Sequence, residues 1–107
     1  MGITAEEIAF AKDLFSGLGE ITTRRMMGGL CLYHDRTIFA IVRPDSEILI
    51  KGAGDFIARL EAMGCTRWKY VRKTGKAGSM PYWTLPGEAL DDPEEAVALA
   101  REALRHL

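Results

Sequence analysis

Apolar residues recur at helical spacing from Ile8 through Ala11 and Phe15 to Leu18, and Phe10 and Leu14 widen the stripe. Thr4 stands three residues before Glu7, the spacing of a capping box, and Gly17 and Gly19 supply the stop. The pattern predicts a first helix over 5–17. From Ile21 the period shortens to two. Residues 21–27 read as a strand interrupted at Gly28-Gly29, a pair that suggests a β-bulge or the close approach of another backbone. Leu30, Leu32 and His34 alternate against Cys31 and Tyr33, and Asp35-Arg36 supplies a tight turn. Residues 37–43 are apolar on both faces, as expected of a central strand covered on two sides or of a strand at an interface. Pro44-Asp45-Ser46 is turn chemistry, and 47–51 is the next strand. Successive hairpin connections imply an antiparallel meander.

Gly52-Ala53-Gly54 ends that run. Phe56, Ile57, Leu60 and Met63 mark a short amphipathic helix over 54–63, closed by Gly64. Along 67–73, Trp68 and Tyr70 fall to one side and Lys69, Val71 and Lys73 to the other. A loop over 74–78 leads to a last strand over 79–85. Pro81 lacks an N–H, so it requires an edge position or a bulge. Asp92-Pro93-Glu94-Glu95 starts a helix over 93–106, with Asp92 as cap and Pro93 at the first helical position. Val97, Ala100, Leu104 and Leu107 line one side of it, and Ala96, Leu99 and Ala103 extend that side. The order is helix, meander, helix, hairpin, helix: an α+β domain with an antiparallel sheet. Its 107 residues suit a single domain, 1–107, with one core.

The net charge of −1 argues against a protein that coats DNA non-specifically. No apolar run is long enough to span a membrane, and the first residues lack the basic and apolar regions of a secretory signal, so a cytoplasmic location is expected. Cys31 and Cys65 are isolated from each other. They are expected to be reduced, without a bound metal, since only His34 and His106 could accompany them.

Charge is uneven along the chain. Residues 62–87 contain no acidic side chain and five basic ones, Arg67, Lys69, Arg72, Lys73 and Lys76, interleaved with Trp68, Tyr70, Tyr82 and Trp83. Such a segment is either a solvated face or a surface for an acidic protein or nucleic acid. The alternation favours Trp68 and Tyr70 packing on the core over stacking on bases. Arg24 and Arg25 are consecutive, so a strand sends them to opposite faces; one is expected to meet a carboxylate on the helix side, the other to be available to a partner. Neither Gly28-Gly29 nor 74–78 has the spacing of a phosphate-binding loop. Glu88, Asp91, Asp92, Glu94 and Glu95 suit a helix dipole better than a calcium loop. No nucleophile, base and orienting group assemble, so no catalytic residue, cofactor or metal is expected.

Arg25-Met26-Met27-Gly28-Gly29, Tyr70-Val71-Arg72-Lys73, and Ser79-Met80-Pro81-Tyr82-Trp83 followed by Leu85-Pro86 occur in order, and with them the chain resembles the amino-terminal domain of the TfoX/Sxy family. The resemblance covers nearly the whole chain; Met27 stands where the family often has phenylalanine. It implies a fold similar to secretion-chaperone-like α+β domains. It also implies regulation of competence for DNA uptake, exerted with the cyclic-AMP receptor protein at promoters and without enzymatic activity. It brings no agreed binding residues. The chain ends before the second, helical domain of such regulators could begin, so a standalone amino-terminal domain is expected. The leading expectation is a non-enzymatic module with a protein partner in transcription regulation. The alternatives are weak nucleic-acid binding through Arg24 or Arg25 and the 67–76 segment, and a small-molecule-binding or enzymatic domain. A homodimer remains open.

Overall fold

A computed structural model describes residues 3–26 and 28–107. The capping box forms: the Glu7 N–H donates to Thr4 Oγ1 at 3.1 Å and the Thr4 N–H to Glu7 Oε1 at 3.3 Å. It starts α1, Ala5–Leu14, which tightens into a 3₁₀ turn at Ser16–Leu18 where the sequence predicted helix to 17. Ala11, Leu14 and Phe15 are its buried face. Phe10, expected in that stripe, is half exposed because it lies to one side of this face.

Six strands follow: β1 Thr22–Met26, β2 Gly29–His34, β3 Thr37–Val42, β4 Ile48–Lys51, β5 Arg67–Val71 and β6 Ala77–Thr84. They form one sheet in the order β1-β2-β3-β4-β6-β5, with every neighbouring pair antiparallel. The meander is present as expected. The glycine pair closes a hairpin instead of bulging a strand: Met26 pairs with Gly29, and Gly28 takes φ 82°. The expected close approach occurs at Gly29, where a Cβ would lie 2.6 Å from the Val42 carbonyl oxygen. Met27, read as the end of the first strand, lies outside the described residues. Asp35 and Arg36 both adopt positive φ, as a two-residue hairpin turn demands.

Two irregularities shape the sheet. Leu32 pairs with Ala40 and Tyr33 with Ile38, so Phe39 is an extra residue on β3. Phe39, Ala40 and Val42 consequently join one apolar cluster, while Ile38 and Ile41 join or pack against another. The second irregularity sets Met80, Pro81 and Tyr82 of β6 opposite the single Trp68 of β5, between the pairs Arg67–Trp83 and Lys69–Ser79. β6 is an internal strand, so Pro81 is accommodated by irregular pairing and not by an edge.

The remaining helices among the described residues are α2 Asp55–Ala62, α3 Gly87–Asp91 and α4 Pro93–Leu104. The short α3 was not expected; Pro86 leads into it and Ala89 is its buried residue. In α2, Phe56 and Leu60 face the core, and Met63 beyond its end is exposed. The buried face of α4 is Ala96, Leu99, Ala100 and Ala103; Leu107, expected in the stripe, lies past the helix and is exposed. These residues meet Leu30, Leu32, Ile50 and Trp83 from the sheet in the main core, where Phe15 and Phe39 touch edge to face with centroids 5.1 Å apart. Among the described residues no helix is long and apolar enough to cross a membrane.

Phe39→Ala should therefore destabilise the domain by about 3–5 kcal/mol in urea unfolding, since the cavity lies between α1 and β3. A loss below about 1 kcal/mol would show that the bulge does not anchor the core.

Candidate functional site

The helices cover one face of the sheet. On the other face Cys31, Ile41, Leu49 and Tyr82 form a second buried cluster from strand residues alone, with Tyr33, Ile38, Trp68 and Met80 packed against it. A cavity of about 220 Å³ opens there, bounded also by Met26, Arg43 and Pro44. Met26 belongs to β1 and Trp68 to β5, the first and last strands in the sheet order. Both reach the same cavity, so the sheet curls around it. The Arg43 guanidinium lies 5.4 Å from the Trp68 ring centre and is ion-paired with Asp45. The Asp45 carboxyl is held below its ordinary range first by the Glu47 N–H and then by Arg43.

The cations singled out from the sequence separate into two groups. Arg25 turns to the helix side and donates from Nη1 to the Ile3 carbonyl oxygen at 2.9 Å, so a carbonyl stands where a carboxylate was expected. Arg67 donates from Nε to the Met80 carbonyl at 3.1 Å, and its guanidinium sits 4.7 Å from the Trp83 ring centre. These two arginines are engaged within the fold. Arg24 pairs with Cys31 across the β1–β2 ladder, so it shares the face of the cavity and is exposed. Lys69, Arg72, Lys73 and Lys76 are exposed together on the β5–β6 hairpin. The two ion pairs among the described residues, Arg43–Asp45 and Arg59–Glu102, involve none of them.

The aromatic residues of the hairpin are engaged within the protein. Trp68 packs on the outer cluster instead of the main core, which takes Trp83. Tyr70 covers Gly78, where a Cβ would lie 2.6 Å from its Cζ. Arg72 in turn lies 5.9 Å from the Tyr70 ring centre. The cavity itself was not foreseen. Its signal was the apolar character of both faces of 37–43, together with the placement of Cys31 and Tyr33 on the side away from Leu30 and Leu32. Among the described residues no group of three or more His, Cys, Asp or Glu side chains could hold a metal ion.

The model of the family described as the TfoX N-terminal domain matches residues 13–107. The chain belongs to this family. DNA transformation protein TfoX1 of Aliivibrio fischeri (strain ATCC 700601 / ES114) is 30% identical to it over 89 residues, 83% of this chain and 42% of that protein. The chain thus spans less than half the length of this curated relative. In this TfoX N-terminal domain the family segment Tyr70-Val71-Arg72-Lys73 runs from β5 into the hairpin loop, and Ser79-Met80-Pro81-Tyr82-Trp83 is the irregular stretch of β6 that lines the cavity and reaches the core.

Trp68→Ala should cost about 1–3 kcal/mol, less than a fully buried aromatic, and Lys69→Ala no more than about 0.5 kcal/mol. Equal small losses in chemical denaturation would place Trp68 outside the packed layer. Burial also raises the Tyr82 phenol, with repulsion from ionised Cys31 and Tyr33 adding to it. The folded state then holds that proton more tightly than the unfolded chain. The associated stability is present below the unfolded value of about 10 and is lost as pH rises through the folded value. Tyr82→Phe should flatten this alkaline decline in urea midpoints; an unchanged slope would assign the decline to other groups.

Proposed function

We propose that this domain is a regulatory protein-interaction module of DNA-uptake competence, acting in the cytoplasm through the transcription machinery and performing no reaction of its own. The observation that carries the reading is the cluster of exposed cations on the β5–β6 hairpin of a domain that belongs to the TfoX N-terminal family. Competence enters by way of the relative, which is named a DNA transformation protein. Exposed lysines contribute little to folding stability, yet they steer association with an acidic surface. The hairpin presents Lys69, Arg72, Lys73 and Lys76 without a bonded carboxylate in the observed ion pairs.

Weak nucleic-acid binding is the second reading, favoured by the same cations. The engagement of Trp68 and Tyr70 within the protein counts against it, since single-strand binders offer such rings to bases. A variant with Lys69, Arg72, Lys73 and Lys76 all changed to Gln should fold normally and lose a protein partner captured by the wild type from a competence-proficient bacterium. Duplex DNA binding by the wild type should be weak, with a log–log salt slope no steeper than about −4 for four phosphate contacts. Nanomolar, sequence-selective DNA binding at physiological salt would overturn the interaction reading.

A further inference from the structure

We infer that the cavity on the helix-free face of the sheet seats one bulky apolar side chain of an acidic partner segment. The inference rests on the interaction-module reading and adds a second contact, separate from the basic hairpin. Size sets the occupant. At about 220 Å³ the cavity exceeds the ~150 Å³ that holds a benzene ring, and falls short of the ~300 Å³ at which pockets for drug-sized molecules begin. A phenylalanine- or leucine-sized anchor fits that interval. The walls are apolar and aromatic, from Cys31, Tyr33, Ile38, Trp68, Met80 and Tyr82.

Charge sets the rest of the segment. Residues directly opposite in an antiparallel pair share a face. Arg24, opposite Cys31, and Lys51, opposite Tyr82, therefore flank the cavity and supply its positive charge, while Arg43 in its wall is offset by Asp45. No carboxylate is among the residues lining it, and Asp45 is ion-paired with Arg43. A basic rim around an apolar hole selects an acidic strand or helix carrying one large apolar residue, the anchor supplying affinity and the carboxylates orientation. A second copy suits the face less well, because a two-fold contact there would bring the same cations of both copies together.

The test uses a short fluorescein-labelled peptide of aspartates and glutamates with one central phenylalanine. Its controls have alanine at the centre, or lysines in place of the acids. The acidic phenylalanine peptide should bind at least about tenfold tighter than either control. Met80→Phe, which narrows the cavity with a rigid ring in its wall, and the pair Arg24→Glu with Lys51→Glu, which reverses the rim, should each weaken it about tenfold. The four-Gln hairpin variant should change it by less than about twofold. Circular dichroism checks folding, and Ile38→Phe replaces Met80→Phe if the latter does not fold. Equal binding of the three peptides, indifference to Met80→Phe, or a wild-type dimer dissociated by Met80→Phe would overturn the inference. A native partner retained by Met80→Phe but lost by the hairpin variant would overturn it and leave the interaction-module reading standing. Absence of any wild-type partner alongside selective peptide binding would do the reverse.

Discussion

The extra residue at Phe39 governs much of this structure. Strict alternation along β3 would send Phe39 away from the helices and leave Phe15 without its edge-on partner. The bulge instead delivers two consecutive side chains, Phe39 and Ala40, to the helix layer and places Ile38 with Ile41 on the opposite face. Bulges also increase local twist. With the irregular stretch around Pro81 in β6, this twist accompanies a curl that brings Met26 and Trp68, from opposite ends of the strand order, to one cavity. The same irregularities thus serve the core on one face and the cavity on the other.

The loop between β3 and β4 transmits order from α1 to that cavity. Its ends are tied by the Arg43 N–H to the Glu47 carbonyl at 2.9 Å and the Ser46 N–H to the Arg43 carbonyl at 2.8 Å. The Ser46 hydroxyl donates to Glu7, whose carboxyl is held below its ordinary range by that bond first and by Thr4 second. Asp45 is fixed by the Glu47 N–H and by Arg43. The guanidinium that covers Trp68 is therefore positioned by a turn anchored to the capping box of α1.

A near-neutral total charge conceals a division of the surface. Carboxylates gather at helix starts, at Glu6 and Glu7 of α1 and Glu94 and Glu95 of α4, where the helix dipole favours them. Exposed cations gather on the β5–β6 hairpin and beside the cavity. Arg25 and Arg67 differ from these, since each donates to a backbone carbonyl of its own fold.

The sequence by itself determined the order of elements apart from the short α3, because local rules decide it. Thr4 with Glu7, Asp92 with Pro93, and Asp35-Arg36 each act on their immediate neighbours, and the capped helices and the turn appear where those residues stand. The opposite facing of Trp68 and Lys69 follows equally from the strand period of two. Tertiary structure decided what period and composition leave degenerate. Gly28-Gly29 became a hairpin because β1 pairs back on β2, and Phe39 changed face because β3 had to pair with β2 while filling the space beside Phe15. The destination of each aromatic was likewise a matter of which surface lay opposite it: Trp83 beneath the helices, Trp68 over the outer cluster, Tyr70 over Gly78. The cavity depends on residues from β1, β2, β3, β5 and β6 meeting across a curled sheet, and curl is a property of the pairing as a whole, which no local window of the sequence contains.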